Sequence, residues 1–354
     1  MRKVIKKTEN ITLYWENVRY NLGNTLQSYA MHSTLNKISE SKLICFGTLS
    51  VKHKIIQTLK KLKRIILKIE VQERKQKRLY ENFYRHIKIK KRNYGFKYAP
   101  DVYYVCGSDQ IWNPFYGGKS EFFAYGAQAE HRIAYAASFG VSSLDDDTKT
   151  RYAEYLKDME YISVREDRAA ELVHDLTGRN VPVVLDPTLL LDRDEWSRVS
   201  KKPKFETGKF ILTYFLGNCE KEYAKYISDL AEKMNCSIIN LEFLNKNKYW
   251  YKTGPAEFLW LINHCEYMCT DSFHGSVFSI INEKPFLVFD RIDDEQPMNS
   301  RLDTLLSKFG LNDRRYAGQQ IEDVVDIDYG NINTIMENEK KKSLVFLKDA
   351  LQID

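Results

Sequence analysis

Two rhythms of apolar and polar positions alternate along this chain. Short apolar runs bounded by Gly, Pro or polar residues read as buried strands. They are ITLYW (11–15), KLICF (42–46), VYYVC (102–106), RIAYAA (132–137) and YISV (161–164) in the first half, with VPVVL (181–185) as a further strand leading into a Pro-punctuated turn. KFILTYF (209–215), SIINLEF (237–243), EYMCT (266–270) and PFLVF (285–289) continue the series in the second half. Between them the spacing becomes helical. Leu26, Tyr29, Ala30 and Leu35 share one face of TLQSYAMHSTLNKI (25–38). Further helices are predicted near 146–158, 219–234, 255–265, 274–284 and 333–351, with Pro255 in the first turn of its helix. NLGN (21–24) reads as a loop in which Gly23 turns the chain and Asn24 caps the next helix.

SKKPKFETG (200–208) is the best linker, and it divides the pattern into two alternating series. The expectation is an α/β protein with two Rossmann-like, doubly wound parallel domains facing a cleft. Residues 1–200 form the first domain and residues 201–354 the second, whose last helix packs back on the first. Ligands of such folds sit beyond the carboxyl ends of strands, here in the cleft.

Charge adds one feature. The net charge is +6, yet residues 52–92 carry 16 Lys or Arg against 3 Glu, so the rest of the chain is net acidic. The segment reads as a basic amphipathic helix, with Ile55, Leu59, Leu62, Ile66 and Ile69 along one face. Its stripe either lies on anionic lipid or packs on the protein. The basic N-terminus has no apolar run behind it, and no stretch reaches membrane-spanning length, so a cytoplasmic protein, peripheral on the inner face of the cell membrane, is expected. The six cysteines lack a CxxC pair, so they are expected as reduced thiols, with no metal site.

Four polar clusters fall at predicted strand ends. The first contains Asn24. The second, CGSDQIWNP (106–114), presents Ser108, Asp109, Gln110, Trp112 and Asn113; Asp109 either holds a ligand hydroxyl or caps a short helix. The third places Arg165 at the end of YISV, either as a fork for phosphate or carboxylate or in an ion pair across the cleft. The fourth is TDSFHGS (270–276), where Asp271 or Ser272 caps a helix. There His274, Gly275 and Ser276 bring an imidazole and free amides together for an anion. Arg301, at another predicted helix start, adds a second cation.

These pieces, in this order, resemble the polysaccharide pyruvyl transferase family. The resemblance is carried by GNTLQSYA (23–30), VCGSDQIWNP (105–114), RIAYAASFG (132–140), ISVREDRAAELV (162–173), VLDPTLLL (184–191), TDSFHGSVFSIINEKPFLVF (270–289) and NSRLDTLL (299–306). It implies a GT-B-like fold and transfer of pyruvate from phosphoenolpyruvate to a sugar as a ketal, in cell-surface or exopolysaccharide synthesis. It implies no cofactor, phosphoenolpyruvate being a co-substrate. It assigns Arg165 and His274 to the donor. Some members carry Arg two residues before that His; this chain has Ser272 there, and Arg301 is the expected substitute. The basic insertion lies outside the shared motifs.

The chemistry then assigns roles. His274 is the expected general acid, with Asp109 or Asp271 as base. Arg165, Ser272, Gly275, Ser276 and Arg301 are expected to hold the donor. Asn24, Ser108, Gln110, Trp112 and Asn113 are expected on the side of the saccharide acceptor, itself free or lipid-linked. Two other functions compete: a GT-B glycosyltransferase using a nucleotide sugar, and a nucleic-acid-binding protein using 52–92. No nucleic-acid motif accompanies the charge run, so no specific nucleic acid is expected. The absence of GxGxxG after any predicted strand argues against a dinucleotide-dependent oxidoreductase.

Overall fold

The computed structural model describes residues 6–13, 21–46, 69–116, 118–291 and 300–353. Its first half is built from β1 (Lys7–Ile11), α1 (Leu22–Ile38), β2 (Glu40–Phe46), α2 (Ile69–Phe83), β3 (Ile89–Arg92) and β4 (Val102–Cys106). It continues through β5 (Arg132–Ala137), α3 (Asp146–Leu156), β6 (Tyr161–Val164), α4 (Asp167–Thr177) and α5 (Arg193–Arg198). The six strands form one parallel sheet in the order β3-β2-β1-β4-β5-β6. The second half contains β7 (Phe210–Phe215), α6 (Lys221–Lys233), β8 (Ser237–Glu242), α7 (Pro255–His264) and β9 (Tyr267–Thr270). After these come α8 (Phe273–Ile281), β10 (Phe286–Val288), α9 (Ser300–Phe309) and α10 (Tyr329–Ala350). Its four strands are also parallel, in the order β10-β9-β7-β8. Both sheets are doubly wound, as the alternation of runs implied.

Several local expectations are corrected. The first strand is Lys7–Ile11, not 11–15, and residues 14–15 lie outside the described residues. Its sequence KTENI looks polar because its buried side chains meet polar groups just past the end of α1 and on β3, where Lys90 and Arg92 pair with Glu9. The Thr8 and Ser39 hydroxyls bond at 3.0 Å, and Gln27 donates to Thr12 at 2.7 Å. NLGN is not a loop: α1 starts at Leu22, and Asn21, not Asn24, is its cap, accepting from the Asn24 amide at 2.9 Å. VPVVL makes only a single bridge, Val164 to Val183, before a 3-10 turn at Pro187–Leu190.

The basic segment is not one helix. Residues 52–68, with four of the five apolar stripe positions, lie outside the described residues. The rest forms α2, a 3-10 turn, and β3 at the sheet edge. Tyr80 and Phe83 of α2 are buried, and Gln76 donates to the Trp250 carbonyl at 2.8 Å. α2 therefore straps the first half to the loop before α7.

The last helix packs back on the first half, as expected. Ser343 Oγ accepts from the Leu185 amide at 3.0 Å, and Phe346 meets Tyr135 at a ring-centroid distance of 6.3 Å. Among the described residues no helix is long and apolar enough to cross a membrane.

Candidate active site

Strand order reverses direction between β1 and β4 in one sheet, and between β7 and β9 in the other. Such switch points leave a crevice beyond the strands' carboxyl ends. Here both crevices open on one cavity of about 130 Å³. The first half contributes Asn21 and Asn24 from the start of α1, and Asp109 and Gln110 from the turn after β4. The second half contributes Leu216 after β7, Ser272 to His274 after β9, and Arg291 and Arg301. The N-termini of α1 and α8 thus both reach the cavity, where unpaired amides and the helix dipole favour an anion.

Asp271 holds the β7 turn. Its two carboxylate oxygens accept from the Leu216 and Gly217 amides, each at 2.7 Å, and Arg291 Nε lies 3.2 Å from Oδ2. Gly217 permits this approach: a Cβ there would stand 2.7 Å from the Arg291 side chain. Ser272, the α8 cap, accepts from the Gly275 amide at 3.4 Å. A Cβ on Gly275 would meet Thr270 Oγ1 at 2.4 Å, so Gly is needed where α8 closes on the end of β9. Ser276 is buried and donates to the Ser272 carbonyl.

Arg165 stands at the end of β6, but it does not line the cavity. It is the hub of a buried ion network. Its guanidinium reaches Asp186 at 2.8 Å, Asp109 at 3.5 Å and Glu166 at 3.7 Å, and lies over the Phe273 ring. The ion pairs are therefore made with carboxylates of its own half, not across the cleft. Asp186 also accepts from Ser108 Oγ at 3.0 Å and from the Thr188 hydroxyl and amide. Burial alone would raise the Asp186 pKa, but His274 and Arg165 outweigh it and hold the group at about 2. Burial likewise opposes ionisation of Asp109, yet Arg165, His274 and Arg301 keep its pKa below the ordinary value. Glu166 differs. Burial raises its pKa despite Arg165 and a 2.7 Å bond from Ser138.

Arg301, at the start of α9, has its pKa lowered to about 10, by burial first and then by repulsion from Arg165. The Gln110 amide faces it; with its oxygen turned toward Arg301, the orientation that satisfies both groups, it accepts from both terminal nitrogens at 3.0 and 2.9 Å. His274 is buried. Its Nε2 lies 3.8 Å from Asp186 Oδ2, beyond hydrogen-bond length. Burial lowers its pKa; Asp186 and Asp109 act against that, and Arg165 and Arg301 with it.

The expected acceptor residues divide. Asn24 and Gln110 line the cavity, and Asn24 donates to Asp109 at 3.2 Å. Ser108 does not: it is fully buried on Asp186. Trp112 is core, stacked on Phe123 and donating to the Phe122 carbonyl, because the turn after β4 folds it inward. Asn113 lies behind Gln110, its amide 2.9 Å away. Sequence reasoning missed Arg291, Asp186, Glu166 and Asn21. The strand-end rule that selected Arg165 also applies to Arg291, three residues beyond β10.

The fold and cavity define a two-sheet Rossmann-like protein whose facing switch points bring helix amides, two arginines, a carboxylate and an imidazole onto one small space. The chain belongs to the polysaccharide pyruvyl transferase family, whose model matches residues 21–294. It is therefore a member of a transferase family. No curated protein matches it. Among solved structures it is similar to the Methanocaldococcus jannaschii UDP-GlcNAc 2-epimerase in complex with UDP-GlcNAc and UDP. That similarity has 12% identity over 97% of this chain and 99% of that one, with a TM-score of 0.48. It is also similar to a Rickettsia bellii UDP-N-acetylglucosamine 2-epimerase, at 12% identity over 98% and 97%, with a TM-score of 0.38.

Proposed function

We propose that this protein moves the pyruvyl group of phosphoenolpyruvate onto two hydroxyls of a saccharide, closing a cyclic ketal. One observation carries the reading: Arg291, Arg301 and the α1 and α8 N-termini surround the same cavity as His274. Phosphoenolpyruvate presents a phosphate and a carboxylate. Arginine forks and helix amides suit both groups.

In this reading His274 protonates the methylene carbon, which becomes a methyl group and leaves an oxocarbenium-like centre. A saccharide hydroxyl adds to that centre and gives its proton to Asp109. A second hydroxyl closes the ring as the carbon–oxygen bond to phosphate breaks. Of the two hydroxyl protons, one replaces the proton that His274 gave up and the other leaves on phosphate. Asp109 suits the base because it lines the cavity and is held ionised. Asp271, the other expected base, has both oxygens engaged by backbone amides. Arg165, Asp186 and Glu166 act from behind, holding Asp109 and His274 in place.

The test supplies phosphoenolpyruvate, UDP-sugars and CMP-sugars to the protein with a panel of free and lipid-linked saccharides. Phosphate release matched one-to-one by a carboxyethylidene group on an acceptor supports the reading. Glycosyl transfer from a nucleotide sugar, with phosphoenolpyruvate inert, overturns it.

An anionic lipid surface is the proposed partner of the basic segment. Lys75, Arg78, Arg85, Lys88 and Lys91 are exposed, while Tyr80 and Phe83 are buried. Contact through these residues would be electrostatic rather than inserted, worth about 1 kcal/mol per basic residue near the surface. Flotation with phosphatidylserine vesicles, lost in high salt, is the expected result; salt-insensitive flotation, or none, contradicts it.

A further inference from the structure

We propose that Asp186 is the positioning residue of His274: it keeps the imidazole proton on Nε2, so that Nδ1 is the nitrogen that exchanges a proton with substrate. The inference deepens the pyruvyl-transfer reading and rests on it for the role of His274.

Three observations carry it. Nε2 is sealed inside the protein and has no hydrogen-bond partner. The carboxylate oxygen Asp186 Oδ2 lies 3.8 Å from it. That oxygen is fixed from other sides by Ser108 at 3.0 Å and Arg165 at 2.8 Å, while Oδ1 takes the Thr188 amide and hydroxyl. The carboxylate cannot turn without breaking four bonds. A sealed Nε2 cannot deliver a proton to a ligand, which leaves Nδ1. Nδ1 is not sealed in this way: it packs against the backbone of Gly23 at the start of α1, where a Cβ would stand 2.2 Å away, and its ring lines the cavity.

The chemistry follows from a carboxylate behind an imidazole. A neutral imidazole has one N–H, and the partner of that N–H decides which nitrogen is free. An N–H directed at Asp186 leaves Nδ1 as the basic nitrogen of a ring that lines the cavity. When Nδ1 takes a proton, the resulting cation gains a full charge interaction with Asp186. A separation that is long in the empty protein tightens in the loaded state. Asp109 also faces the ring and favours the cation, while Arg165 and Arg301 disfavour it. Among the described residues Asp186 is the carboxylate within 4 Å of Nε2, and its orientation is fixed, so it sets the tautomer.

The test is nitrogen NMR on protein labelled in histidine, with the His274 signals identified by their loss in His274→Gln. Neutral His274 is expected to carry its proton on Nε2 and to show an unprotonated Nδ1. A neutral ring protonated on Nδ1 overturns the proposal. This readout needs no donor or acceptor, so it is independent of the pyruvyl reading. The wild-type protein answers it, whatever happens to the fold of an Asp186 variant. In folded Asp186→Asn the His274 titration midpoint moves down, and kcat falls by up to about 10²–10⁴-fold, the usual worth of a general acid. An unchanged midpoint and unchanged kcat in that variant also overturn it.

Discussion

Gly23 and His274 come from opposite halves of the chain and pack directly against each other. A Cβ on Gly23 would stand 2.2 Å from Nδ1 and 2.7 Å from Cγ of the imidazole. The start of α1 can reach the cavity only because residue 23 has no side chain. Gly23→Ala must push the ring aside. Helix propensity favours Ala by about 1 kcal/mol, offsetting part of the roughly 1–3 kcal/mol cost of overpacking. Stability is therefore expected to change little, while turnover falls on the order of 100-fold because the imidazole is misplaced. Melting and kcat on the same preparation check this; an active Gly23→Ala would break the link between the helix start and the imidazole.

Donor binding is expected to take up a proton. The His274 pKa in the free protein lies below 6.5, from burial first, although Asp186 and Asp109 act to raise it. An anionic donor beside the ring adds negative charge and raises that pKa. The bound value then exceeds the free value. Affinity is strongest below the free pKa and weakens as pH rises through the window up to the bound pKa. Titration calorimetry over a pH series, in buffers of different ionisation enthalpy, should report proton uptake in wild type, relative to His274→Gln, that is largest between the free and bound pKa. Proton release would reverse the sign and contradict the assignment.

Arg165→Ala should fail through stability before it fails through donor affinity. It would leave Asp186 and Glu166 buried, with half-buried Asp109 beside them, without their central cation. Breaking a buried pair in this way costs about 3–5 kcal/mol. A denaturant midpoint well below wild type is the expected outcome. A variant of normal stability that has lost only donor binding would show that Arg165 contacts the donor directly.

Asp271→Ala frees the Leu216 and Gly217 amides and loosens Arg291. Hydrogen bonds to a charged group are worth about 1.5–3 kcal/mol each. The expected signature is a lower melting temperature and a higher KM for the donor, with kcat less affected. A selective collapse of kcat at unchanged KM would instead make Asp271 the base.

Much of the fold was legible because parallel strands buried on both faces give continuous apolar runs: VYYVC, RIAYAA and FILTYF all stand where the pattern put them. KTENI was not legible, since most of its buried side chains are polar: Thr8 bonds the Ser39 hydroxyl, and Glu9 pairs with Lys90 and Arg92 of β3. VPVVL looked like a strand and makes one bridge only. The strand-end rule picked out His274, Asp109 and Gln110, and a predicted helix start picked out Arg301; all four line the cavity. The rule said nothing about which way a side chain turns. Arg165 and Ser108 turn inward, toward the carboxylate of Asp186. The weight of Asp186 is a tertiary property: four bonded groups and His274 converge on it from separate segments, and no local spacing announces that.

The most direct test of the account is titration of the protein with phosphoenolpyruvate, beside UDP-sugars and CMP-sugars, on wild type and on Arg301→Ala. Arg301 lines the cavity and, unlike Arg165, is not the hub of the carboxylate network. The account predicts that wild type binds phosphoenolpyruvate. Arg301→Ala should weaken that binding about 10- to 100-fold, the worth of a charge-assisted hydrogen bond. Binding of a nucleotide sugar without phosphoenolpyruvate, or phosphoenolpyruvate binding indifferent to Arg301→Ala, would contradict it.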